Sequence, residues 1–149
     1  MVGSLIPQEI SVLAKAELFK NAFFGFYLRK LNAIPLRRGT IDRKAIKIAE
    51  ENLKNNISVM IFPEGSRHNF TARPGIGKMA YETKKNILPI YIENSDHPIQ
   101  CILGKKKMRL YVGNIISIDQ YLENGDSKDN FRKIASDTLN IINGLKDEN

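Results

Sequence analysis

The spacing of hydrophobic residues predicts strands that alternate with helices along the chain. Short, nearly continuous apolar runs predict four strands, at residues 10–14, 33–36, 57–62 and 87–92. Longer segments with helical spacing or a helix-start signal predict three helices between them, at residues 15–31, 41–54 and 74–85. Runs without alternation are typical of strands buried on both faces of a parallel sheet. The pattern therefore predicts an α/β fold, with a mostly parallel sheet flanked by helices, in a single domain.

The last third of the chain predicts a hairpin and a terminal helix. Apolar segments at residues 98–103 and 108–112 flank Gly104-Lys105-Lys106-Lys107, which predicts two strands joined by a basic tip. Ser127 is the predicted N-cap of a helix that runs to about residue 145.

Two further residues mark predicted element boundaries. Thr40 is a suitable N-cap for the helix at residues 41–54. Pro89 lies inside the strand predicted at residues 87–92. Because proline cannot donate to a sheet ladder, we place it at an edge, at a bulge or at the start of that strand.

The helix predicted at residues 15–31 has an unusually aromatic face. Its apolar positions at helical spacing are Leu18, Phe19, Ala22, Phe23, Phe26 and Tyr27. One interpretation is a core helix, because such a stripe is usually packed inside a protein. The other is contact with lipid, since further apolar side chains widen the face and basic ones accompany it. The widening residues are Phe24 and Leu28, and the basic ones are Lys20, Arg29 and Lys30.

A basic excess directs attention to anionic partners. The 149 residues carry a formal net charge of +7. Nucleic acid, anionic lipid and phosphorylated metabolites all fit such a charge. The lysines at residues 105–107 fit a solvated loop, or contact with anionic lipid or an acidic carrier protein.

The single cysteine and the lengths of the apolar runs indicate the cellular compartment in which the protein works. Cys101 has no partner for a disulfide within the chain, and we expect it to be a buried thiol in a reducing compartment. The longest apolar run, residues 22–28, is far shorter than the roughly 20 residues that cross a bilayer. Because no signal-peptide pattern is evident either, we expect a cytoplasmic protein without a membrane-spanning helix.

The strand predicted at residues 57–62 ends in a turn with chemically versatile side chains. Pro63 ends the strand, and Gly65 can adopt the positive φ of a sharp reversal. A carboxylate, a hydroxyl and a guanidinium follow, from Glu64, Ser66 and Arg67. Ligands of open α/β sheets bind at the carboxyl ends of strands, which makes this turn a candidate site, with a solvated turn as the alternative.

A second arginine occupies the equivalent place after another strand. Arg38 follows the strand predicted at residues 33–36. If both strands lie in one parallel sheet, Arg38 and Arg67 can approach one phosphate, which a guanidinium binds through two parallel hydrogen bonds. Ordinary surface charge is the alternative for Arg38.

Several segments together resemble one protein family. Phe62-Pro63-Glu64-Gly65-Ser66-Arg67 resembles the Phe-Pro-Glu-Gly-(Thr/Ser)-Arg motif of the glycerolipid acyltransferases, most closely the bacterial 1-acyl-glycerol-3-phosphate acyltransferases. The segments at residues 13–20, 23–25 and 33–39, then Pro74-Gly75 and residues 87–90, follow in the family's order and spacing. The resemblance covers about residues 4–113.

The resemblance implies a fold, a reaction and a set of binding residues. The fold is that of glycerol-3-phosphate acyltransferases, and the reaction moves a fatty acyl group from an acyl thioester to lysophosphatidate in phospholipid synthesis. The implied substrate-binding residues are Arg38, Phe62, Pro63, Glu64, Gly65, Ser66, Arg67 and Pro89. Among them the arginines would bind the phosphate, Glu64 and Gly65 would shape the glycerol pocket, and Pro89 would support the acyl side.

The same resemblance implies the partners of the reaction. The donor would be an acyl carrier protein or coenzyme A thioester, and no metal, further cofactor or nucleic acid would take part. The enzyme would work as a peripheral protein on the inner face of an anionic membrane.

One family motif has no counterpart in these residues. In the family, a His followed by Asp after four intervening residues supplies the catalytic base. His68 and His97 have Arg73 and Ile102 at the corresponding position. We therefore expect an acyltransferase domain that lacks its N-terminal portion. A catalytically inactive phospholipid-binding module is the alternative, and a basic nucleic-acid-binding domain is less favoured because no such motif is present.

Overall fold

The computed structural model describes residues 9–37, 42–64, 71–95, 100–101 and 103–146. Its chain divides into two compact units, Met1–Ile61 and Phe62–Asn149, which we call the N-terminal and C-terminal units. Each unit has its own sheet.

The N-terminal unit is built on a parallel sheet of three strands. The order along the chain is β1 (Ile10–Lys15), a 3₁₀ helix (Ala16–Lys20), α1 (Ala22–Lys30), β2 (Ala33–Leu36), α2 (Arg43–Lys54) and β3 (Ser58–Met60). The strands lie in the order β2-β1-β3, with both neighbours parallel to β1. The predicted α/β fold with a parallel sheet is therefore confirmed, and β3 is shorter than the predicted strand at residues 57–62.

The helix predicted at residues 15–31 is divided in two. Asn21 lies between the 3₁₀ helix and α1, in an extended conformation. Its side-chain oxygen accepts hydrogen bonds from the backbone N–H groups of Phe23 and Phe24, both at 3.1 Å. Asparagine at an N-cap satisfies backbone donors that otherwise lack a partner, so it starts a new helix here.

Helix α2 starts later than predicted and packs on the sheet by its alanines. Its N-cap is Asp42, whereas the predicted cap, Thr40, lies outside the described residues. Ala45 and Ala49 are almost fully buried. Small side chains let the helix backbone lie close to its neighbours, and this fixes α2 against β2 and β3.

The C-terminal unit combines helices with a two-stranded antiparallel sheet. Its elements are α3 (Pro74–Thr83), β4 (Ile90–Glu93), β5 (Arg109–Val112), α4 (Asp119–Leu122) and α5 (Lys128–Gly144). Strand β4 pairs with β5, from Ile90 opposite Val112 to Glu93 opposite Arg109. Ser127 caps α5 by accepting from the N–H of Asn130, which confirms the predicted start of this helix.

The hairpin predicted between residues 98–103 and 108–112 is wrong. Gln100 and Cys101 are helical, and the partner of β5 is β4. The reason lies in the backbone: the carbonyl of Gln100 accepts from the N–H groups of Lys105 and Lys106, at 2.9 and 3.2 Å. This closes a tight turn before β5, so that β5 reaches a strand earlier in the chain.

The core of the C-terminal unit forms where α3 and α5 cross. Its buried members are Ala80, Ile116, Ile118, Tyr121 and Ile134. The closest approach is at Gly77, where an added Cβ would overlap the backbone of Phe131. The rings of Tyr81 and Phe131 meet edge to face nearby, with centroids 5.5 Å apart. Because so little space separates the two helices, α3 is held firmly in place.

Candidate functional site

Strands β2 and β3 open on the same edge of the sheet, as the sequence predicts. Both run parallel to β1, which lies between them. With neighbouring strands about 4.8 Å apart, β2 and β3 lie about 10 Å apart across the sheet. Their ends are staggered, because Leu36 pairs with Lys15 and Met60 pairs with Val12. Arg38, the predicted phosphate ligand after β2, lies outside the described residues. The structure thus confirms the shared edge, and the position of the Arg38 side chain stays a prediction.

Asp42 closes the base of the turn that carries Arg38. One carboxylate oxygen accepts from the N–H of Arg37 at 3.0 Å, and the other accepts from the N–H of Ala45 at 3.2 Å. The hydrogen bond from Arg37, followed by that from Ala45, lowers the pKa of the Asp42 carboxyl. A single ionised side chain therefore starts α2 and ties it to the end of β2.

A second closure frames the turn that carries the Pro-Glu-Gly-Ser-Arg sequence. The backbone carbonyl of Pro63 accepts from the N–H of Arg73 at 2.9 Å. Phe62 is 54% exposed and Glu64 is half-buried, whereas Gly65, Ser66 and Arg67 lie outside the described residues. Arg73 immediately precedes α3, whose first residue is Pro74. Both ends of the segment at residues 64–72 are thus joined and attached to the firmly packed helix α3.

Pro89 lies in the interior of the C-terminal unit. Its side chain is fully buried, directly before β4, and its carbonyl accepts from the N–H of Gly113 at 3.0 Å. A Cβ on Gly113 would lie 3.1 Å from the Pro89 ring. We expected this proline at an edge, at a bulge or at the start of its strand, and its position directly before β4 agrees with the third of these. Its implied role on the acyl side stays a prediction.

Helix α1 carries an exposed aromatic surface. Phe23 is 86% exposed, and Phe26 and Tyr27 are each more than half exposed. Gly25 is the only buried residue of the helix, and it lies against the backbone of Phe19. The ammonium group of Lys30 sits 5.0 Å from the centre of the Phe26 ring. The interpretation as core packing does not describe these side chains among the described residues, and contact with lipid stays a prediction.

An open groove at the opposite edge of the sheet was not predicted. It has a volume of about 340 Å³ and is lined by residues from the starts of all three strands and from the ends of α1 and α2. Ser11 lies on its wall, almost fully buried, and accepts a hydrogen bond from the Asn52 amide at 2.8 Å. The lining residues are far apart in the sequence and meet only in the folded chain, so no local sequence pattern could predict this groove.

Two searches of the described residues gave no positive result. No group of three or more His, Cys, Asp or Glu side chains lies close enough to hold a metal ion within the described ranges. None of the described helices has the length and hydrophobicity to cross a membrane.

The chain is similar to curated bacterial proteins. One, named 1-acyl-sn-glycerol-3-phosphate acyltransferase, is from Streptococcus pneumoniae and is 29% identical over 121 residues, covering 80% of this chain and 46% of the relative. Another of the same name, from Bacillus subtilis, is 30% identical over 111 residues, covering 73% of this chain and 55% of the relative. The chain therefore spans about half the length of the curated relatives it matches.

A solved structure and a family model complete the comparison. The crystal structure of the 1-acyl-sn-glycerophosphate (LPA) acyltransferase PlsC from Thermotoga maritima aligns with a TM-score of 0.60 at 23% identity, over 92% of this chain and 56% of that one. This likeness concerns the fold. The family model described as Acyltransferase matches residues 1–93, which include both arginine-bearing turns. The chain belongs to the acyltransferase family.

Proposed function

We propose that this chain takes part in acyl transfer from an acyl thioester to 1-acyl-glycerol-3-phosphate, and that its own residues bind the phosphorylated acceptor. The observation that carries the proposal is the pair of closed turns, one closed by Asp42 and one by the Pro63–Arg73 hydrogen bond. They carry the family's Arg38 and residues 62–67. A hydrogen bond that holds the two ends of a loop together removes part of the entropy cost of loop closure, and this favours affinity for a ligand that the loop binds.

The proposed roles are those that the family resemblance implies, and the chemistry of the guanidinium group supports the roles of the two arginines. Arg38 and Arg67 bind the phosphate, because a guanidinium matches its oxygens with two parallel hydrogen bonds. Glu64 and Gly65 shape the site around the glycerol, and Pro89 supports the acyl side. The acyl thioester is a substrate, and the reaction uses no further cofactor.

Titration of a lysophosphatidate analogue against single variants tests the phosphate site. We expect Arg38→Ala and Arg67→Ala each to raise the Kd at least about tenfold, since a charge-assisted hydrogen bond contributes about 1.5–3 kcal/mol. Arg37 and Arg73 provide matched controls, because each is an exposed arginine on the same segment as one of the ligands. Equal losses for controls and ligands would mean diffuse charge attraction and would contradict a defined site.

A second candidate, a binding module without turnover, is supported by one observation. Neither histidine in residues 1–149 is followed by Asp after four intervening residues. Both candidates share the phosphate site, so the titration supports them equally, and only an assay of thioester cleavage separates them.

The exposed surface of α1 supports a peripheral position on the inner face of an anionic membrane. Burial of a Phe side chain contributes about 1.5–3 kcal/mol, and Lys20, Arg29 and Lys30 lie on or beside the helix, where they can meet anionic headgroups.

Sedimentation with anionic vesicles tests this membrane contact. We expect the double substitution Phe23→Ser and Phe26→Ser to release most of the chain from the vesicles, and added salt to weaken binding of the unchanged protein. Ile115, which is 66% exposed in the C-terminal unit, is the control, and Ile115→Ser should have little effect. If vesicle binding changes neither with the Phe23 and Phe26 substitutions nor with the charge of the lipid, the membrane role of α1 is refuted.

A further inference from the structure

The C-terminal unit presents three consecutive lysines on a tight turn before β5. We call residues 103–108 the basic turn; it contains Lys105, Lys106 and Lys107 between Leu103 and Met108. The proposed acceptor site makes no use of it. Its order, charge and exposure together indicate an interaction surface.

Backbone and side-chain hydrogen bonds hold the basic turn in one conformation. Gly104, with a φ of +70°, donates from its N–H to the carbonyl of Cys101 at 3.2 Å. The next two N–H groups both donate to the carbonyl of Gln100. On the far side, the amide of Asn94 donates to the carbonyl of Lys107 at 2.8 Å. The lysines therefore stand on an ordered support, and a partner that binds them need not order the backbone first.

The charge of the turn is not neutralised by the described residues around it. No described carboxylate forms an ion pair with Lys105, Lys106 or Lys107. The next cation along, Arg109, is paired with Glu93 at 3.3 Å. Three adjacent positive charges without partners create a local field that attracts an anionic surface.

The turn is exposed and partly apolar. A Cβ on Gly104 would meet none of the described residues within 4 Å, so the turn is open at this point. Leu103 is 63% exposed and Met108 is 37% exposed, at either end of the lysines. Apolar side chains beside a charged rim are the composition of protein–protein interfaces.

We propose that the basic turn docks an acidic protein, and that this protein is the carrier of the acyl thioester. The inference rests on the proposed function, because that function requires such a donor. A nucleotide carrier would need a concave pocket for its base, whereas most of the residues of this turn are exposed. A lipid surface would favour aromatic side chains, and these lie on α1 of the N-terminal unit.

A charge-matched pair of variants tests the docking site. The first changes Lys105, Lys106 and Lys107 to Gln. The control changes Lys44, Lys54 and Lys128 to Gln; these lysines are exposed, lie on α2 and α5, and have no ion pair among the described contacts. Both triple variants lower the net charge from +7 by three, so any difference between them reflects position rather than total charge.

Binding of three probes is measured for each variant: an acyl-loaded acidic acyl carrier protein, coenzyme A and anionic vesicles. We expect the basic-turn variant to raise the Kd for the carrier protein at least about tenfold and the control to change it less than about threefold. Vesicle binding should persist in both variants and fall when Phe23 and Phe26 are replaced by Ser.

Three outcomes would overturn the proposal. Equal losses in both triple variants would mean diffuse charge, loss of vesicle binding alone would make the turn a lipid contact, and loss of coenzyme A binding would make it a nucleotide site. Titration of the lysophosphatidate analogue keeps the proposed function separate. If the chain fails to bind that analogue but still binds the carrier through the turn, the proposed function fails and the docking site stands.

Discussion

At the scale of single residues, Asp42 does two tasks: the N-cap, which the sequence analysis assigns to Thr40, and the closure of the turn after β2, which was not predicted. Its two oxygens accept from Arg37 and Ala45, so that it caps α2 and closes the turn after β2. Thr40 is as good a cap by residue type, but a cap is chosen by where the backbone leaves its first N–H groups unpaired. Only the three-dimensional path of the chain decides that position.

We expect Asp42→Ala to lower the Tm, by removing both hydrogen bonds, and Asp42→Asn to lower it less, because asparagine can still cap. The pKa of Asp42 in the folded chain is below its ordinary value of 3.8, chiefly because of the bond from Arg37. The ionised carboxylate therefore stabilises the fold above about pH 3.8, and that contribution is lost as the pH falls through the lower folded value. Thermal unfolding from pH 7 to pH 3 measures this.

The difference in Tm between the unchanged protein and Asp42→Ala should shrink toward the acid end of that range. Asp129, whose side chain is 92% exposed, serves as control, and Asp129→Ala should change the Tm little. A difference that stays constant with pH would show that the carboxylate charge is not the cause.

At the scale of elements, two glycines of α3 have opposite surroundings in one helix. Gly77 lies against the backbone of Phe131 on α5, whereas a Cβ at Gly75 would meet nothing within 4 Å. We expect Gly77→Ala to lower the free energy of unfolding by about 1–3 kcal/mol, because the added methyl group would overlap backbone atoms, which cannot move aside as the end of a flexible side chain can. Gly75→Ala should raise the free energy of unfolding by about 0.4–1 kcal/mol, because alanine reduces the conformational entropy of the unfolded chain.

Denaturant unfolding of the two variants provides the measurement, and each is the control for the other. Changes of the same sign in the free energy of unfolding of the two variants would contradict the close packing of α3 on α5. Binding of the lysophosphatidate analogue should weaken in Gly77→Ala and persist in Gly75→Ala, because α3 anchors the segment at residues 64–72.

The same scale shows how far the sequence predicts this fold. Strand β2 has the predicted bounds, and α5 starts at its predicted cap, because both follow from local patterns. The division at Asn21 had a local signal, a capping residue inside an apolar stripe, which the helical periodicity outweighed. The pairing of β4 with β5 had none, since it depends on how a tight turn directs the chain. Strand pairing across such distances is set by tertiary structure rather than by residue type.

The candidate site also has features that the sequence predicts and features that depend on tertiary structure. The motif makes two turns candidates for the site, which stays a prediction, whereas the parallel sheet confirms that β2 and β3 open on one edge. The closures by Asp42 and by Pro63 with Arg73 were not predicted, because each joins residues that only the folded path of the chain brings within hydrogen-bond distance.

At the scale of the whole molecule, we predict that residues 1–149 bind the acceptor without turning it over. The proposed phosphate ligands follow two strand ends, whereas neither histidine is followed by Asp after four intervening residues, the pattern of the family's base. A general base must lie within hydrogen-bond reach of the proton it takes, and its loss typically costs about 10²- to 10⁴-fold in rate. We therefore expect these residues alone to bind the lysophosphatidate analogue and to release little or no thiol from an acyl thioester.

A thiol-release assay with lysophosphatidate as acceptor measures this. His68 is the residue that could replace the missing base, because it follows Arg67 directly and would then be near the phosphate. Its place in the sequence beside the proposed phosphate ligand argues against that role, since the base must reach the free hydroxyl of the glycerol. His68→Ala and the control His97→Ala should therefore give the same low rate as the unchanged chain. Clear turnover that His68→Ala abolishes and His97→Ala preserves would identify His68 as the base and refute the separation of binding from catalysis.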